Sequence, residues 1–254
     1  MKITTTWLAL LLVLTTNALA NILPINGMNT GQISGLYPNY FVPAGFTFSI
    51  WGLIYLLQTG YTVAYTYYQI RKPENTWIST YFDRVHSLYL ITCLLNAGWI
   101  LAWHYLQMTL SLAIMIGYLV LLTLIFLRGR EAALKMKPAD QFLLFTPMVV
   151  YLGWICVATI ANITAALVSN GLTGGPEWSV IMIGIATLLS TYITLHFRMK
   201  SHGLVLIWAL WGIYNAQQDQ GMIQVATVVG MGIVAVAVGM SSVKRQSGVG
   251  NRES

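Results

Sequence analysis

The chain has 254 residues, of which 57% are hydrophobic and only 8% are charged, and its mean hydropathy is +0.68. Since a soluble domain has about 25% charged residues, this composition excludes an ordinary water-soluble globular protein. It predicts an integral membrane protein whose main partner is the lipid bilayer. The net charge of +6 does not predict a nucleic-acid partner, because membrane proteins concentrate Lys and Arg in their cytoplasmic loops.

Apolar stretches of about 20 residues, long enough to cross a hydrocarbon core, occur in eight places. They cover residues 3–20, 44–68, 86–104, 107–127, 142–168, 178–197, 203–217 and 221–243. Polar groups at 104–107 and 215–220 separate stretches that would otherwise be too long for one helix. The sequence thus predicts an all-α fold, a polytopic transmembrane helical bundle of about eight spans. The segment 203–217 is short, and it is also compatible with a re-entrant helix.

All the basic residues fall on one side of this predicted bundle. They are Lys2, Arg71, Lys72, Arg84, Arg128, Arg130, Lys135, Lys137, Arg198, Lys200, Lys244, Arg245 and Arg252. The loops on the opposite side carry only Glu177 and Asp219 as charged residues. The positive-inside rule therefore predicts that both termini are cytoplasmic, including a tail at 244–254. The compact length and the charge distribution fit a bacterial inner (plasma) membrane best, with an organelle membrane as the alternative.

The first predicted span has a second interpretation. Lys2, the apolar run 7–14 and the small residues at 18–20 also resemble a secretory signal sequence with its cleavage site. These residues alone are equally compatible with a retained transmembrane helix and with a signal sequence that is removed.

The segment 21–43, which follows the first span, contains no charged residue, although a loop in water usually does. Prolines such as Pro38 and Pro43 restrict its backbone, and its aromatic residues include Tyr37 and Tyr40. Two interpretations follow from this composition. The segment either folds over the mouth of the bundle as a lid or lies on the lipid headgroups.

The sequence contains no recognisable catalytic constellation. No Asp, Glu, Lys or Arg lies well inside a predicted span, where an ionisable residue would indicate function, and His86, His104 and His196 lie at span ends. Catalytic, nucleotide-binding and metal-binding motifs are absent, and Cys93 and Cys156 are expected to be packing residues. The sequence therefore predicts neither catalytic residues nor a metal site, and it does not favour an enzyme.

Trp and Asn residues inside the spans are the remaining polar features. Asn96 and Trp99 are three residues apart and share one helix face, as do Trp154 and Asn162, which are eight residues apart. Such Asn residues either hold helices together through hydrogen bonds or contribute polar groups to an aromatic-walled ligand pocket. Tyr81, beyond a span end, is expected in the belt of aromatic residues at the membrane interface.

Four segments form a set when they are taken in order. Residues 37–43 (Tyr-Pro-Asn-Tyr-Phe-Val-Pro) are a proline- and aromatic-rich loop, and residues 46–55 contain Phe…Trp-x-x-x-Tyr. Residues 95–99 are Leu-Asn-Ala-Gly-Trp, and residues 151–154 are Tyr-Leu-Gly-Trp, with Asn162 eight residues after that Trp. The first motif precedes span two, and the others lie in spans two, three and five. Together they resemble the motifs of the TspO/translocator-protein (tryptophan-rich sensory protein, TspO/MBR) family.

The resemblance covers residues 1 to about 170 as a TspO-like five-helix transmembrane unit, and residues 171–243 add three helices. It implies that the first span is retained, that segment 21–43 is a lid, and that the chain forms a homodimer. It also implies a pocket for a planar apolar ligand such as a porphyrin or another tetrapyrrole. The pocket would be lined by Trp51, Tyr55, Asn96, Trp99, Tyr151, Trp154 and Asn162. The lid would contribute Tyr37, Pro38, Tyr40 and Pro43.

The chain departs from this family pattern in charge. The lid has no cation for a porphyrin carboxylate, and residues 168–174 lack the Tyr and basic residues of a sterol-recognition pattern. These departures favour a neutral ligand. The resulting hypothesis is a membrane receptor or sensor that binds a small, planar, apolar molecule. The alternative is a multi-span transporter of a small apolar or neutral solute, which predicts an internal repeat that the two halves of the sequence do not show.

Overall fold

The computed structural model describes residues 2–72, 76–172 and 174–242, and the predicted tail at 244–254 lies outside them. Within these residues there are ten α-helices and two short 3₁₀ helices, Ile25–Gly27 and Gly45–Ser49. The α-helices are α1 (Lys2–Asn21), α2 (Thr30–Gly35), α3 (Ile50–Arg71), α4 (Thr76–His104), α5 (Met108–Leu134), α6 (Pro138–Leu144), α7 (Thr146–Ser169), α8 (Pro176–His196), α9 (Lys200–Ala216) and α10 (Gly221–Ser242). The predicted all-α fold is confirmed.

In the part of the chain that the structure describes, six helices are long and apolar enough to cross a membrane, namely α1, α4, α5, α7, α8 and α10. Helices α3 and α9 correspond to the other two of the eight predicted segments. With 17 residues, α9 is the shortest of these eight helices. At about 1.5 Å per residue it extends about 25 Å, which is slightly less than a hydrocarbon core of about 30 Å.

Two helices extend further than their apolar segments. Helix α4 begins at Thr76 rather than at residue 86, and α5 ends at Leu134 rather than at residue 127. The additional turns carry Arg84 and Glu131, whose side chains form an ion pair with an N–O distance of 3.0 Å. Charged residues are tolerated there because a helix longer than the hydrocarbon core reaches the polar headgroup region.

A break at Phe145 divides the predicted segment 142–168 into α6 and α7. Pro147 lies in the first turn of α7, where a missing N–H costs no helical hydrogen bond. Helix α6 packs against α3, α5 and α7, and the fully buried Tyr81, on α4, donates a hydrogen bond to the backbone oxygen of Leu144 at 2.8 Å. The expectation that Tyr81 belongs to an interfacial belt is therefore wrong: α4 continues past this position, and its ring is covered by neighbouring helices.

Helix α7 is the most buried of the six candidate spans and packs against α5, α9 and α3. Gly153 permits a close approach of α9, since a Cβ at this position would lie 3.2 Å from Cβ of Val205. Helices α8, α9 and α10 pack mainly against one another. Helix α7 therefore connects the C-terminal helices to the part of the bundle that contains the predicted pocket residues.

Candidate ligand-binding site

Trp51 is the centre of an aromatic cluster formed by helices α3, α4 and α7. Its ring stacks on that of Tyr55, with the centroids 5.6 Å apart and an angle of 17° between the planes. The rings of Trp99, Tyr151 and Trp154 lie 5.9–6.0 Å from the Trp51 ring. The structure thus brings together aromatic residues that belong to three separate sequence motifs.

Asn96 connects α4 to three other helices through buried hydrogen bonds. Its Nδ2 donates to Oη of Tyr151 at 2.8 Å and to Oη of Tyr118 at 3.3 Å. Its Oδ1 accepts a hydrogen bond from Nδ2 of Asn17, on α1, at 2.7 Å. Asn96 is fully buried, and both ends of its carboxamide are bonded to other side chains.

Asn162 makes the corresponding connection from α7. Its Oδ1 accepts a hydrogen bond from Nε1 of Trp99 at 3.1 Å, and its Nδ2 donates to Oγ of Ser111, on α5, at 3.0 Å. The Ser111 hydroxyl donates in turn to the backbone oxygen of Met108 at 2.9 Å. Both predicted Asn residues therefore hold helices together around the aromatic cluster, as one of the two interpretations of the sequence expected.

A cavity of about 30 Å³ lies beside the cluster, bordered by Phe48, Trp51, Trp103 and Trp154 among others. This volume is sufficient for about one water molecule. The indole Nε1 of Trp154 is buried and has no hydrogen-bond partner among the described residues. A buried N–H without a partner is unfavourable, and Trp154 is also one of the residues that border the cavity.

A larger groove of about 790 Å³ adjoins the cluster at Trp51 and Phe48, which line both spaces. It lies between α1, the start of α3 and the loop that joins them. Tyr55 contributes to its wall, and Asn21 and Gln32 are among the carboxamides that line it. The described lining residues carry no charge, and the volume falls within the range of about 300–1,000 Å³ that small-molecule sites occupy.

The first loop, residues 22–49, folds onto the end of the bundle. Asn29 and Gln32 form a reciprocal capping box that begins α2. The backbone oxygen of Thr30 accepts a hydrogen bond from Nε1 of Trp103 at 3.2 Å, and the Thr30 hydroxyl lies 3.2 Å from Nε2 of His104. The loop therefore covers this end of α4, and its role as a lid stays a prediction.

The four predicted lid residues divide into two pairs. The ring of Tyr37 lies 6.5 Å from that of Trp103, and partial burial raises the pKa of the Tyr37 phenol. Pro43 lines the small cavity beside the cluster. Pro38 and Tyr40 instead border a separate surface depression on the side of the loop that faces the end of α9. Of the four, only Pro43 therefore lines the cavity beside the cluster, and Tyr37 contacts Trp103, another residue of that cavity's wall.

Four residues of the site were not predicted. Asn17 was detectable as a carboxamide inside the apolar first span, and Trp103 as an indole one helical turn after Trp99. Tyr118 and Ser111 gave no comparable signal, because isolated hydroxyl groups are frequent in transmembrane helices. Their importance follows only from the positions of Asn96 and Asn162 in the folded chain.

Comparison with known proteins supports the assignment that the motifs indicated. The family model described as TSPO-like protein matches residues 3–240. The match runs from α1 into α10, so it also includes the three C-terminal helices, which lie beyond the five-helix unit that the motifs covered. No curated protein and no solved structure gives a match. With most of its length matched, and with a bundle of long apolar helices, the chain belongs to the TSPO-like protein family.

Proposed function

We propose that this membrane protein is a receptor or sensor that binds a neutral, planar, apolar ligand of tetrapyrrole type. The groove beside Trp51 is the binding site in this proposal. One observation carries it: an uncharged groove of about 790 Å³ borders directly on the stacked rings of Trp51 and Tyr55. A flat aromatic wall of this kind favours a ligand that is itself flat, because offset stacking is the preferred contact between aromatic rings.

The affinity in this proposal comes from packing and stacking. A ligand dissolved in the bilayer is already in an apolar environment, so moving it into the groove gains little from the hydrophobic effect. Close contact with Trp51 and Tyr55 supplies the attraction. Asn21 and Gln32 each use one carboxamide atom locally, Nδ2 to the backbone oxygen of Asn17 and Oε1 to the backbone N–H of Asn29, so Oδ1 of Asn21 and Nε2 of Gln32 supply the hydrogen-bonding groups for orientation. Since the carboxamides of Asn96 and Asn162 are engaged by other side chains, we assign them to the support of the site.

The proposal is tested with protoporphyrin IX dimethyl ester, a neutral planar tetrapyrrole, and the protein purified in lipid nanodiscs. Binding is measured from the absorbance change of the porphyrin. Trp51→Ala removes one stacking partner, so we expect the dissociation constant to rise at least about tenfold, which corresponds to about 1.4 kcal/mol. Trp178→Ala is the control, because Trp178 is partly exposed on α8 and borders neither the groove nor the small cavity.

The charge of the ligand is tested with protoporphyrin IX itself. Its two carboxylates would find no cation in the groove, so we expect weaker binding than that of the dimethyl ester. Equal affinity of the two porphyrins would contradict the assignment of a neutral ligand. Binding of the ester that is unaffected by Trp51→Ala would place the ligand elsewhere.

We further infer that both termini are cytoplasmic and that the membrane is a bacterial inner membrane. In support, the Arg84–Glu131 ion pair joins the ends of α4 and α5, and the guanidinium of Arg130 lies 4.9 Å from the centroid of the Phe197 ring, between α8 and α9. The basic residues of three connections are thus at the same end of the bundle. Fusions to alkaline phosphatase test this orientation. The enzyme is expected to be active when it is fused near Asp219 and inactive when it is fused after α10.

We propose no chemical reaction for this site, because the groove is lined by amide, aromatic and aliphatic groups without an acid–base pair. Unchanged porphyrin recovered after prolonged incubation is the expected result. A homodimer is part of the same proposal, and mass measurement of the protein in nanodiscs tests it. A monomer mass would remove the dimer from the proposal without affecting the groove.

A further inference from the structure

The first loop has a second attachment, which is to α9 and not to the five-helix unit. The backbone N–H of Ala44 donates to the backbone oxygen of Gly212 at 3.0 Å. Nε1 of Trp208 donates to the backbone oxygen of Thr47 at 2.9 Å. These bonds join positions that are more than 160 residues apart in the chain, and both lie in the part of the loop that leads into α3.

Aromatic contacts reinforce these two hydrogen bonds. The ring of Phe46 lies 5.7 Å from that of Trp208 in an edge-to-face arrangement and 4.9 Å from that of Trp211. Thr47, which is fully buried, sits directly on Gly212. A side chain at position 212 would collide with the Thr47 hydroxyl group and would lie within 2.9 Å of its Cγ2 and Cβ atoms.

The same stretch of loop also reaches the candidate site. Phe48 follows Thr47 directly, and its ring lies 6.2 Å from that of Trp154 in an edge-to-face arrangement. Phe48 and Gly45 both line the groove, and Phe48 also lines the small cavity. Any movement of residues 44–47 away from α9 therefore changes the wall of the groove.

We infer that α9 holds the first loop closed over the candidate site, and that release of the loop from α9 controls exchange of the ligand. The attachment itself stands on the contacts of Ala44, Phe46 and Thr47 with α9. Its consequence for ligand exchange rests on the function proposed above. The C-terminal helices then have a role that five helices could not provide, which is to set the position of the loop.

The chemistry of the attachment suits reversible release. Besides the close contact of Thr47 with Gly212, it consists of neutral hydrogen bonds and of contacts made by partly exposed aromatic rings, and Trp211 and Phe46 are both exposed on one side. Such contacts open locally without unfolding the helices that carry them. Helix α9 is in addition packed closely against α7 at the buried Gly153, so α9 can stay in place while the loop moves.

The attachment is tested without any ligand, by hydrogen–deuterium exchange of the full-length protein in nanodiscs. Gly212→Ala places a methyl group against Thr47 and should displace the loop. We expect peptides covering residues 40–49 to exchange at least about tenfold faster, because their amides then open without the bonds to α9. Trp208→Phe, which removes the N–H donor but keeps an aromatic ring, should give a smaller increase in the same peptides.

Matched variants separate displacement of the loop from general loosening. Gly184→Ala adds the same methyl group to α8 at a position with open space around it, and exchange of the loop should stay at the wild-type rate. Thr47→Gly removes the atoms that collide, so adding Gly212→Ala to it should cause little further exchange. Unchanged exchange in Gly212→Ala, or equal acceleration in Gly184→Ala, would overturn the inference.

Ligand exchange is measured separately, as the dissociation rate of protoporphyrin IX dimethyl ester. Faster dissociation from Gly212→Ala than from the wild type, with Gly184→Ala unchanged, supports control of exchange by α9. Faster hydrogen exchange with an unchanged dissociation rate would leave the attachment standing and overturn its role in ligand exchange. If the porphyrin does not bind at all, the proposed function and its control by α9 fail together, whereas the hydrogen-exchange result still decides the attachment.

Discussion

Helices α1, α4 and α7 bond their buried carboxamides to side chains of other helices, and α5 supplies the hydroxyl partners Tyr118 and Ser111, whereas several buried hydroxyl groups of α8 have no such partner. Asn96 and Asn162 each bridge at least three helices. On α8, the Oγ1 atoms of Thr187, Thr191 and Thr194 are buried without a hydrogen-bond partner among the described residues. Directional bonds therefore join α1, α4, α5 and α7, which we call the first region. In the C-terminal region of α8, α9 and α10, apart from the Ser190–His202 bond, another kind of contact prevails.

That other contact is close packing of small residues. A Cβ at Gly203, on α9, would lie 2.7 Å from Cγ2 of Val238 and 2.8 Å from Oγ1 of Thr194. A Cβ at Gly230, on α10, would lie 2.7 Å from Oγ1 of Thr187. Small residues let transmembrane helices approach closely and gain van der Waals contact. The first region therefore has fixed polar groups suited to recognition, while the C-terminal region forms a tightly packed support for α9.

The largest effect is expected from a substitution that disrupts the packing of the C-terminal region. Gly203→Val inserts a branched side chain where no space exists, and we expect the free energy of unfolding to fall by about 3 kcal/mol. Gly184→Val is the matched control, since nothing lies within 4 Å of a Cβ there. Unfolding in mixed micelles, followed by circular dichroism, measures both variants. Equal losses in the two variants would mean that the close approach at Gly203 does not determine the packing.

A smaller effect is expected when the polar network of the first region is broken. Asn96→Ala removes the acceptor of Asn17 and the donor to Tyr151, and we expect a loss of about 2 kcal/mol in the free energy of unfolding. Asn215→Ala, at an exposed carboxamide on α9, should have little effect in the same assay. If the Asn96→Ala protein is as stable as the wild type but binds the porphyrin more weakly, Asn96 contacts the ligand instead of holding the helices together.

Much of the first region was predictable from the sequence, because helical periodicity determines which residues share a face. Asn96 and Trp99 are both buried on the inward side of α4, as their spacing indicated, and so are Trp154 and Asn162 on α7. The all-α fold and the long apolar helices also follow from composition and segment length. That these residues form a ligand site stays a prediction.

Contacts between distant segments were not predictable in this way. Periodicity identifies the inward face of a helix but not which neighbour it meets, so the Asn17–Asn96 bond and the Trp208–Thr47 bond had no sequence signal. His202 is buried in the first turn of α9, and its Nδ1 lies 3.0 Å from Oγ of Ser190. Because His202 precedes the apolar segment 203–217, the sequence pattern does not indicate that it is buried. These pairings depend on how the helices pack, which one sequence does not reveal.

The smallest effect is expected from two indoles of the first region. The Nε1 of Trp99 makes a hydrogen bond, whereas the Nε1 of Trp154 does not. Trp99→Phe and Trp154→Phe remove similar apolar area, but only the first breaks a hydrogen bond, from Nε1 to Oδ1 of Asn162. We therefore expect Trp99→Phe to reduce the free energy of unfolding by about 1 kcal/mol more than Trp154→Phe does.

For binding of the dimethyl ester, the order of these two variants should reverse. Trp154 lines the small cavity that adjoins the groove at Trp51 and Phe48, so its unbonded Nε1 is expected to meet an ester carbonyl that reaches from the groove into this cavity. The Nε1 of Trp99 is instead held by Asn162. Trp154→Phe should then weaken binding several-fold and Trp99→Phe should change it less, as measured by porphyrin absorbance. If both variants lose the same stability and the same affinity, the unpartnered N–H has no special role. If Trp99→Phe has the larger effect on stability and Trp154→Phe the larger effect on binding, then the N–H of Trp99 holds helices together and that of Trp154 binds the ligand.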